Sequence, residues 1–154
     1  MRTGIKLTKS AQHLLRCPIC KSKMELTDYE FKCMNVRCKA HFPIIEGIPI
    51  LVNETSSIFS IEDFINRKTT FFRSSSKIKG FVGGLLPAID CNVKAKTNYE
   101  KFAELLLKGN ENPKVLVVGG SMVGRGMQVI LSSPSIEFIE SDVSFGPRTA
   151  LICD

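Results

Sequence analysis

The chain has no apolar run approaching the roughly 18 residues that a membrane-spanning helix needs. Its opening, MRTGIKLTKSAQHLLR, lacks the apolar core and the small-residue cleavage site of a secretory signal. These two absences predict a soluble, cytoplasmic protein with no membrane span, in which thiols stay reduced. No low-complexity tract or internal repeat is visible. A nucleophile-and-base set for covalent catalysis is also missing. His13 has no partner in the sequence, and Cys91 and Cys153 are single cysteines better suited to packing than to chemistry.

What is present fits one ordinary domain or two small ones: 154 residues, 44% of them hydrophobic. The net charge of +6 is unevenly placed. Residues 1–113 hold 18 Lys/Arg against 11 Asp/Glu, and residues 114–154 hold 3 against 4. A basic front half could meet RNA, an acidic partner or an anionic glycan. The charges are scattered rather than clustered, which fits a solvated surface, so nucleic acid is not the favoured partner.

Four of the six cysteines form two pairs, Cys17-Pro-Ile-Cys20 and Cys33-Met-Asn-Val-Arg-Cys38, separated by 12 residues. A two-residue gap lets both thiolates of a tight turn face one metal. The wider second gap lies within the range of structural zinc sites. Lys21–Lys32 is long enough for a hairpin that brings the pairs together. Four thiolates on a divalent cation leave a net charge of −2, which Lys21, Lys23, Lys32, Arg37 and Lys39 would offset. Two disulfides, or reduced cysteines in a small core, are the alternatives. The absence of a secretion signal favours zinc, in a structural role with no open coordination position. His41 could stand in for Cys38, though a surface position suits it better.

After the last cysteine comes His41-Phe-Pro-Ile-Ile-Glu-Gly-Ile-Pro-Ile-Leu51, which predicts a strand, a turn at Glu46-Gly47 and a second strand. Phe42 and Ile44 can cover the cysteine turns, giving a module this small a core. With CPIC and the second cysteine pair, this FPIIEGIPIL tail resembles the zinc ribbon of the small activator protein that partners tRNA and protein methyltransferases. The same ribbon is found fused to the front of bacterial and archaeal methyltransferases.

In residues 55–112, Ser60 followed by Glu62 and Asp63 predicts a helix start, continued loosely by Phe64, Ile65, Phe71 and Phe72 and ended at Ser74–Ser76. Lys77–Leu86 carries no assignable pattern. Thr97 with Glu100 reads as a capping box. Tyr99, Phe102, Ala103, Leu105 and Leu106 supply an apolar face, and Gly109-Asn110 and Asn112-Pro113 end the helix.

Lys114–Gly126, KVLVVGGSMVGRG, organises the rest. Val115–Val118 read as a strand buried on both faces, followed directly by Gly119, Gly120, Gly124 and Gly126. Glycines placed there let the backbone turn tightly and approach a ligand, and a helix from about Gly124 to Leu131 offers free N–H groups. A second strand, Ile136–Glu140, is closed by Asp142, and a third apolar stretch, Thr149–Cys153, ends at Asp154. Asp142 lies 23 residues after Gly119, near the spacing of about 20 at which a carboxylate meets ribose hydroxyls. Glu140, two residues earlier on the same face, is the alternative. Asp154 is placed to meet an adenine ring. The strict GxGxxG pattern is absent, which argues against a nicotinamide dehydrogenase; a purely steric need for glycine is the other explanation of the loop.

VLVVGG with the following glycines, DVS at the second strand end and ICD at the third resemble the first half of a class I S-adenosylmethionine-dependent methyltransferase of the type 11 kind. The resemblance implies an α/β fold: a zinc ribbon over residues 1–54, a helical lead-in over 55–112, and the first part of a Rossmann-like parallel sheet over 113–154. It places Gly119, Gly120, Gly124 and Gly126 against the methionine part of S-adenosylmethionine, Asp142 on the ribose and Asp154 near the adenine. The usual acid within the first strand is replaced by Val117 or Val118, and the loop is longer than usual.

The family's sheet has seven strands, and the pattern here reaches only the third. The expectation is a fragment, or a chain whose open sheet edge joins a second copy or a partner protein. Residues near the transferred methyl would come from the absent half, so no catalytic residue is assigned and the acceptor stays open. Two functions follow: the cofactor-binding half of a zinc-ribbon methyltransferase, or a non-catalytic module whose ribbon binds a partner methyltransferase or RNA.

Overall fold

A computed structural model describes residues 4–69, 93–120, 123, 124 and 126–154. It divides into two compact units. One comprises Met1–Thr70, Lys114–Met122 and Phe138–Asp154, and the other Phe71–Pro113 and Val123–Glu137.

The first unit begins with a short helix, α1 (Lys9–Gln12), capped by the Thr8 hydroxyl, which accepts from Ala11 N. Strands β1 (Met24–Leu26) and β2 (Glu30–Cys33) form an antiparallel hairpin, and β3 (His41–Ile45) pairs antiparallel with β2. The expected turn follows. Ile45 pairs with Ile48 across Glu46-Gly47, both at positive φ (50° and 78°), and β4 (Ile48–Leu51) runs back along β3. Two consecutive left-handed residues are the mirror-image turn whose twist matches a tight hairpin. Gly47 is needed twice over, because a Cβ there would also collide with the Gly4 carbonyl oxygen.

β4 then joins a second set of strands. The sheet is seven-stranded, in the order β1-β2-β3-β4-β7-β6-β5, where β5 is Lys114–Val118, β6 Glu137–Asp142 and β7 Leu151–Cys153. β4 pairs parallel with β7 (Ile50 with Ile152, Leu51 with Cys153), and β7 pairs parallel with β6 (Ser141 with Leu151, Asp142 with Ile152). Gly119 and Gly120 N donate to Ser141 O, just past the end of β5. Pro49 marks the changeover. It lies opposite Ile44 in the antiparallel pair, and pairing with β7 starts one residue later, as suits a residue with no N–H to give to a ladder.

Every residue of β4 is buried. Ile48, Ile50 and Val52 pack with Phe64 and Ile152, while Leu51 joins Leu151, Phe31, Phe42, Cys17 and Cys33. The strand thus feeds two cores through its alternating faces. Ser60 caps helix α2 (Ile61–Ile65) in a capping box closed by Asp63, which delivers Phe64 to the first of these cores. The helix stops at Ile65, short of the expected continuation. Phe71, Phe72 and Ser74–Ser76 lie outside the described residues, as does Cys91.

One expectation about the sheet is corrected. β5 is not buried on both faces: Leu116 is 56% exposed and Val118 81% exposed. It is the terminal strand, and its burial alternates as in a half-covered edge strand. The outer edge of the third strand, β7, is covered by β4 from the front of the chain. Among the described residues the terminal strands of the sheet are β1 and β5, and β5 is the one that ends the parallel set.

The second unit contains helices α3 (Ala95–Gly109) and α4 (Gln128–Leu131). α3 starts before the expected Thr97 cap, with Lys94 at its N-cap, so Thr97 lies inside it and Glu100 faces Lys96 one turn back. Gly126, at φ 83°, sits so close to the start of α3 that a Cβ would lie 2.9 Å from Lys96 N. That close approach requires glycine at 126. Tyr99, Ala103 and Leu106 form a half-buried stripe, whereas Phe102 and Leu105 are exposed. No helix among the described residues is long and apolar enough to cross a membrane.

Gly47→Ala should lower the unfolding free energy by about 2 kcal/mol, from left-handed strain and displacement of the Gly4 segment. Urea denaturation followed by far-ultraviolet circular dichroism measures it. A loss below about 0.5 kcal/mol would show that the turn does not control the hairpin.

Candidate metal centre and glycine loop

The hairpin β1–β2 brings the cysteine pairs together, as their spacing predicts. The Sγ atoms of Cys17, Cys20, Cys33 and Cys38 lie within 4.8 Å of one another. Cys20 Sγ is 3.3 Å from Cys33 Sγ, and Cys17 Sγ 3.8 Å from Cys38 Sγ. Sulfurs about 2.3 Å from a tetrahedral zinc stand about 3.8 Å apart, so the donor set fits the ion in both chemistry and size. All four cysteines are free thiols.

The two turns are built alike. Lys21 N donates to Cys17 O and Lys39 N to Asn35 O, and both lysines, each following the second cysteine of its turn, take left-handed φ (63° and 53°). Asn35 ties the turns together. Its backbone N–H points at Cys33 Sγ (3.4 Å), its side-chain amide donates to Ser22 Oγ (3.4 Å), and its Oδ1 accepts from Arg37 N (3.0 Å). Hydrogen bonds from the Ser22 hydroxyl and backbone hold the Cys20 thiol down at about 6, while burial pushes Cys33 up to about 12. A divalent cation entering the cluster would displace the protons that its thiols hold. His41 is not a ligand here: its Nδ1 lies 3.2 Å from Glu30 Oε1. Phe42 is buried against the cysteines, with Ile44 packed beside it.

The glycine-loop residues divide between the two units. In the first, Gly119 and Gly120 follow β5, Asp142 ends β6 and Asp154 follows β7, so parallel order brings them to one end of adjacent strands. Gly119 is at φ 73° with open space where a Cβ would be. Gly120 has a steric reason to be glycine, since a Cβ would lie 3.0 Å from Glu140 Cβ. Asp142 Oδ1 accepts from Val143 N (2.7 Å) and Ser144 Oγ (3.1 Å). Asp154 is exposed. In the second unit, Gly126 packs against α3, and Gly124 lies near Tyr99, where a Cβ would stand 3.5 Å from its hydroxyl.

Glu140 is the residue whose role spacing could not reveal. It is buried, and Arg148 grips it from the β6–β7 connection through Nε (2.7 and 2.8 Å to the two carboxylate oxygens) and a terminal guanidinium nitrogen. The carboxylate raises the Arg148 pKa in turn. The pair is bidentate and partly desolvated, which gives it both strength and direction. Cys153 is packing: burial raises its thiol.

Comparison with protein-family models, curated proteins and solved structures gave no match.

Purified protein should carry one zinc per chain. Cys33→Ser should abolish it and unfold β1–β3, whereas Cys153→Ser should leave metal content unchanged; elemental analysis with circular dichroism checks both. Arg148→Ala should cost about 2–3 kcal/mol, because Glu140 stays buried without its cation. Chemical denaturation of the metal-loaded protein reads this directly, and a near-neutral result would mean that water compensates Glu140.

Proposed function

We propose that the chain holds the cofactor-binding part of an S-adenosylmethionine-dependent methyltransferase, with a structural zinc ribbon at its front and the first strands of a Rossmann-like sheet behind it. The supporting observation is the end of the parallel set, where Gly119-Gly120, Asp142 and Asp154 terminate three adjacent strands. Ligands of open parallel sheets bind outside the carboxyl ends of the strands, and a glycine turn beside an acid is what a nucleoside needs there.

In this reading Gly119 and Gly120 let the methionine part lie close to the backbone. Asp142, oriented by Val143 N and Ser144 Oγ, accepts from the ribose hydroxyls, and Asp154 faces the adenine. Bound S-adenosylmethionine supplies an electrophilic sulfonium methyl. The protein's contribution is to hold an acceptor in line with it, and proximity provides much of the rate. No residue of this chain is assigned to the acceptor or to proton transfer.

The non-catalytic reading draws on a different observation. The Gly119 and Gly120 N–H groups are already satisfied by Ser141 O, and Glu140 by Arg148, so the same end of the sheet is self-sufficient as a scaffold. Calorimetric titration of the zinc-loaded protein with S-adenosylhomocysteine separates the two. The methyltransferase reading expects saturable binding, weakened about tenfold or more by Asp142→Ala. Absence of binding by a folded, zinc-loaded chain overturns it and leaves the ribbon module.

A further inference from the structure

The two cysteine turns carry more than ligands. Residues 16–24 and 32–40 contain Arg16, Lys21, Lys23, Lys32, Arg37 and Lys39 and no acidic residue. The acids of the same hairpin, Glu25, Asp28 and Glu30, lie along β1 and β2 and on the turn that joins them, away from the sulfurs. Lys32 pairs with Glu30 at 3.4 Å, and the other five cations have no carboxylate partner among the described residues. Four thiolates around a divalent cation carry −2, so the metal end keeps a positive surplus.

Aliphatic side chains stand among these charges. Ile19 is 49% exposed, Met34 58% and Val36 79%. None belongs to the clusters that fill the ribbon's core. All three lie within turns whose backbone is fixed by left-handed Lys21 and Lys39 and by the Asn35–Ser22 hydrogen bond. Arg16 donates to the His13 and Leu15 carbonyls and Lys21 to the Pro18 carbonyl, which leaves their charge without a counter-ion among the described residues. Aliphatic groups left in water on the same turns as such cations mark a surface suited to contact.

We propose that the metal end of the ribbon docks a protein surface presenting aliphatic side chains flanked by Asp and Glu. Side-chain chemistry favours protein over nucleic acid. Phe31 and Phe42 are buried, Tyr29 lies at the opposite turn, and the one exposed ring beside the second cysteine turn, His41, is held against Glu30 at 3.2 Å, so this end offers little surface for base stacking. A phosphate backbone would reward the cations and leave Ile19, Met34 and Val36 wet. A protein partner rewards both, with the apolar trio at the centre and the cations at the rim. This inference is independent of the methyltransferase reading.

The test titrates the zinc-loaded full chain into three fluorescent probes. One is an amphipathic helical peptide of about 18 residues with leucines on one face flanked by glutamates. The second has lysines in place of the glutamates, and the third is a single-stranded RNA of about 20 nucleotides. The glutamate peptide should bind and the lysine peptide should not. Met34→Ser/Val36→Ser should weaken the glutamate peptide about tenfold, and Arg37→Glu/Lys39→Glu should do so at low salt. Zinc stoichiometry confirms that each variant keeps the ribbon. Failure of the glutamate peptide to bind, with or without RNA binding, overturns the proposal. So does binding that survives the loss of Met34 and Val36.

Discussion

The parallel pairing of β4 with β7 is the contact on which the rest of the sheet depends. β4 is the fourth strand of an antiparallel ribbon and at the same time the neighbour of a parallel set, and it is buried along its whole length. Its odd and even side chains serve different cores: Ile48, Ile50 and Val52 face Phe64 and Ile152, and Leu51 faces the cysteine side. A shift by one residue would exchange the two sets, so the register Ile50 to Ile152 is fixed by packing from both sides. Phe145 extends this region, meeting Phe64 edge-on and lying under the Arg67 guanidinium at 3.9 Å.

The cysteine cluster and this seam support one another. Cys17 and Cys33 share a core with Leu51 and Leu151, so ordering the turns around a metal also orders one face of the strand that receives β7. A hairpin of three- and four-residue strands buries little by itself. Four sulfurs on one ion supply what so small a core cannot. At the other end of the parallel set, the Glu140–Arg148 pair ties the β6–β7 connection back onto β6 beneath Gly120.

The features legible in the sequence were those set by local chemistry. The cysteine spacing indicated one four-sulfur centre. Glu46-Gly47 indicated a two-residue turn because glycine relieves left-handed backbone, and Ser60 with Asp63 indicated a helix start because both side chains close on nearby N–H groups. Some of what escaped depends on neighbours distant in sequence. The exposure of Leu116 and Val118 follows from β5 standing at the end of the sheet, and an apolar run alone does not say which strand is terminal. α3 starts at Ala95 with no side-chain cap, so the Thr97–Glu100 spacing, which is also that of two residues inside a helix, could not mark its first turn. Glu140 looked like a spare ligand acid because Arg148, eight residues away, carries no spacing signal that would mark it as a partner. The DVS and ICD strand ends were legible as the tips of two parallel strands, which is where they stand.

The handover at Pro49 has a consequence for how the chain comes together. Every pairing of β1 through β4 is between close sequence neighbours and can form as soon as the first fifty or so residues exist, whereas Ile50 must wait for Ile152, about a hundred residues later. During synthesis the ribbon therefore presents an unpaired, wholly apolar strand edge for the time the ribosome needs to make the intervening chain, several seconds at about 5–20 residues per second. Pro49 shortens that edge. With no N–H to offer, it removes one donor from the strand that later receives β7, so the immature ribbon is less able to template the wrong partner before the right one arrives.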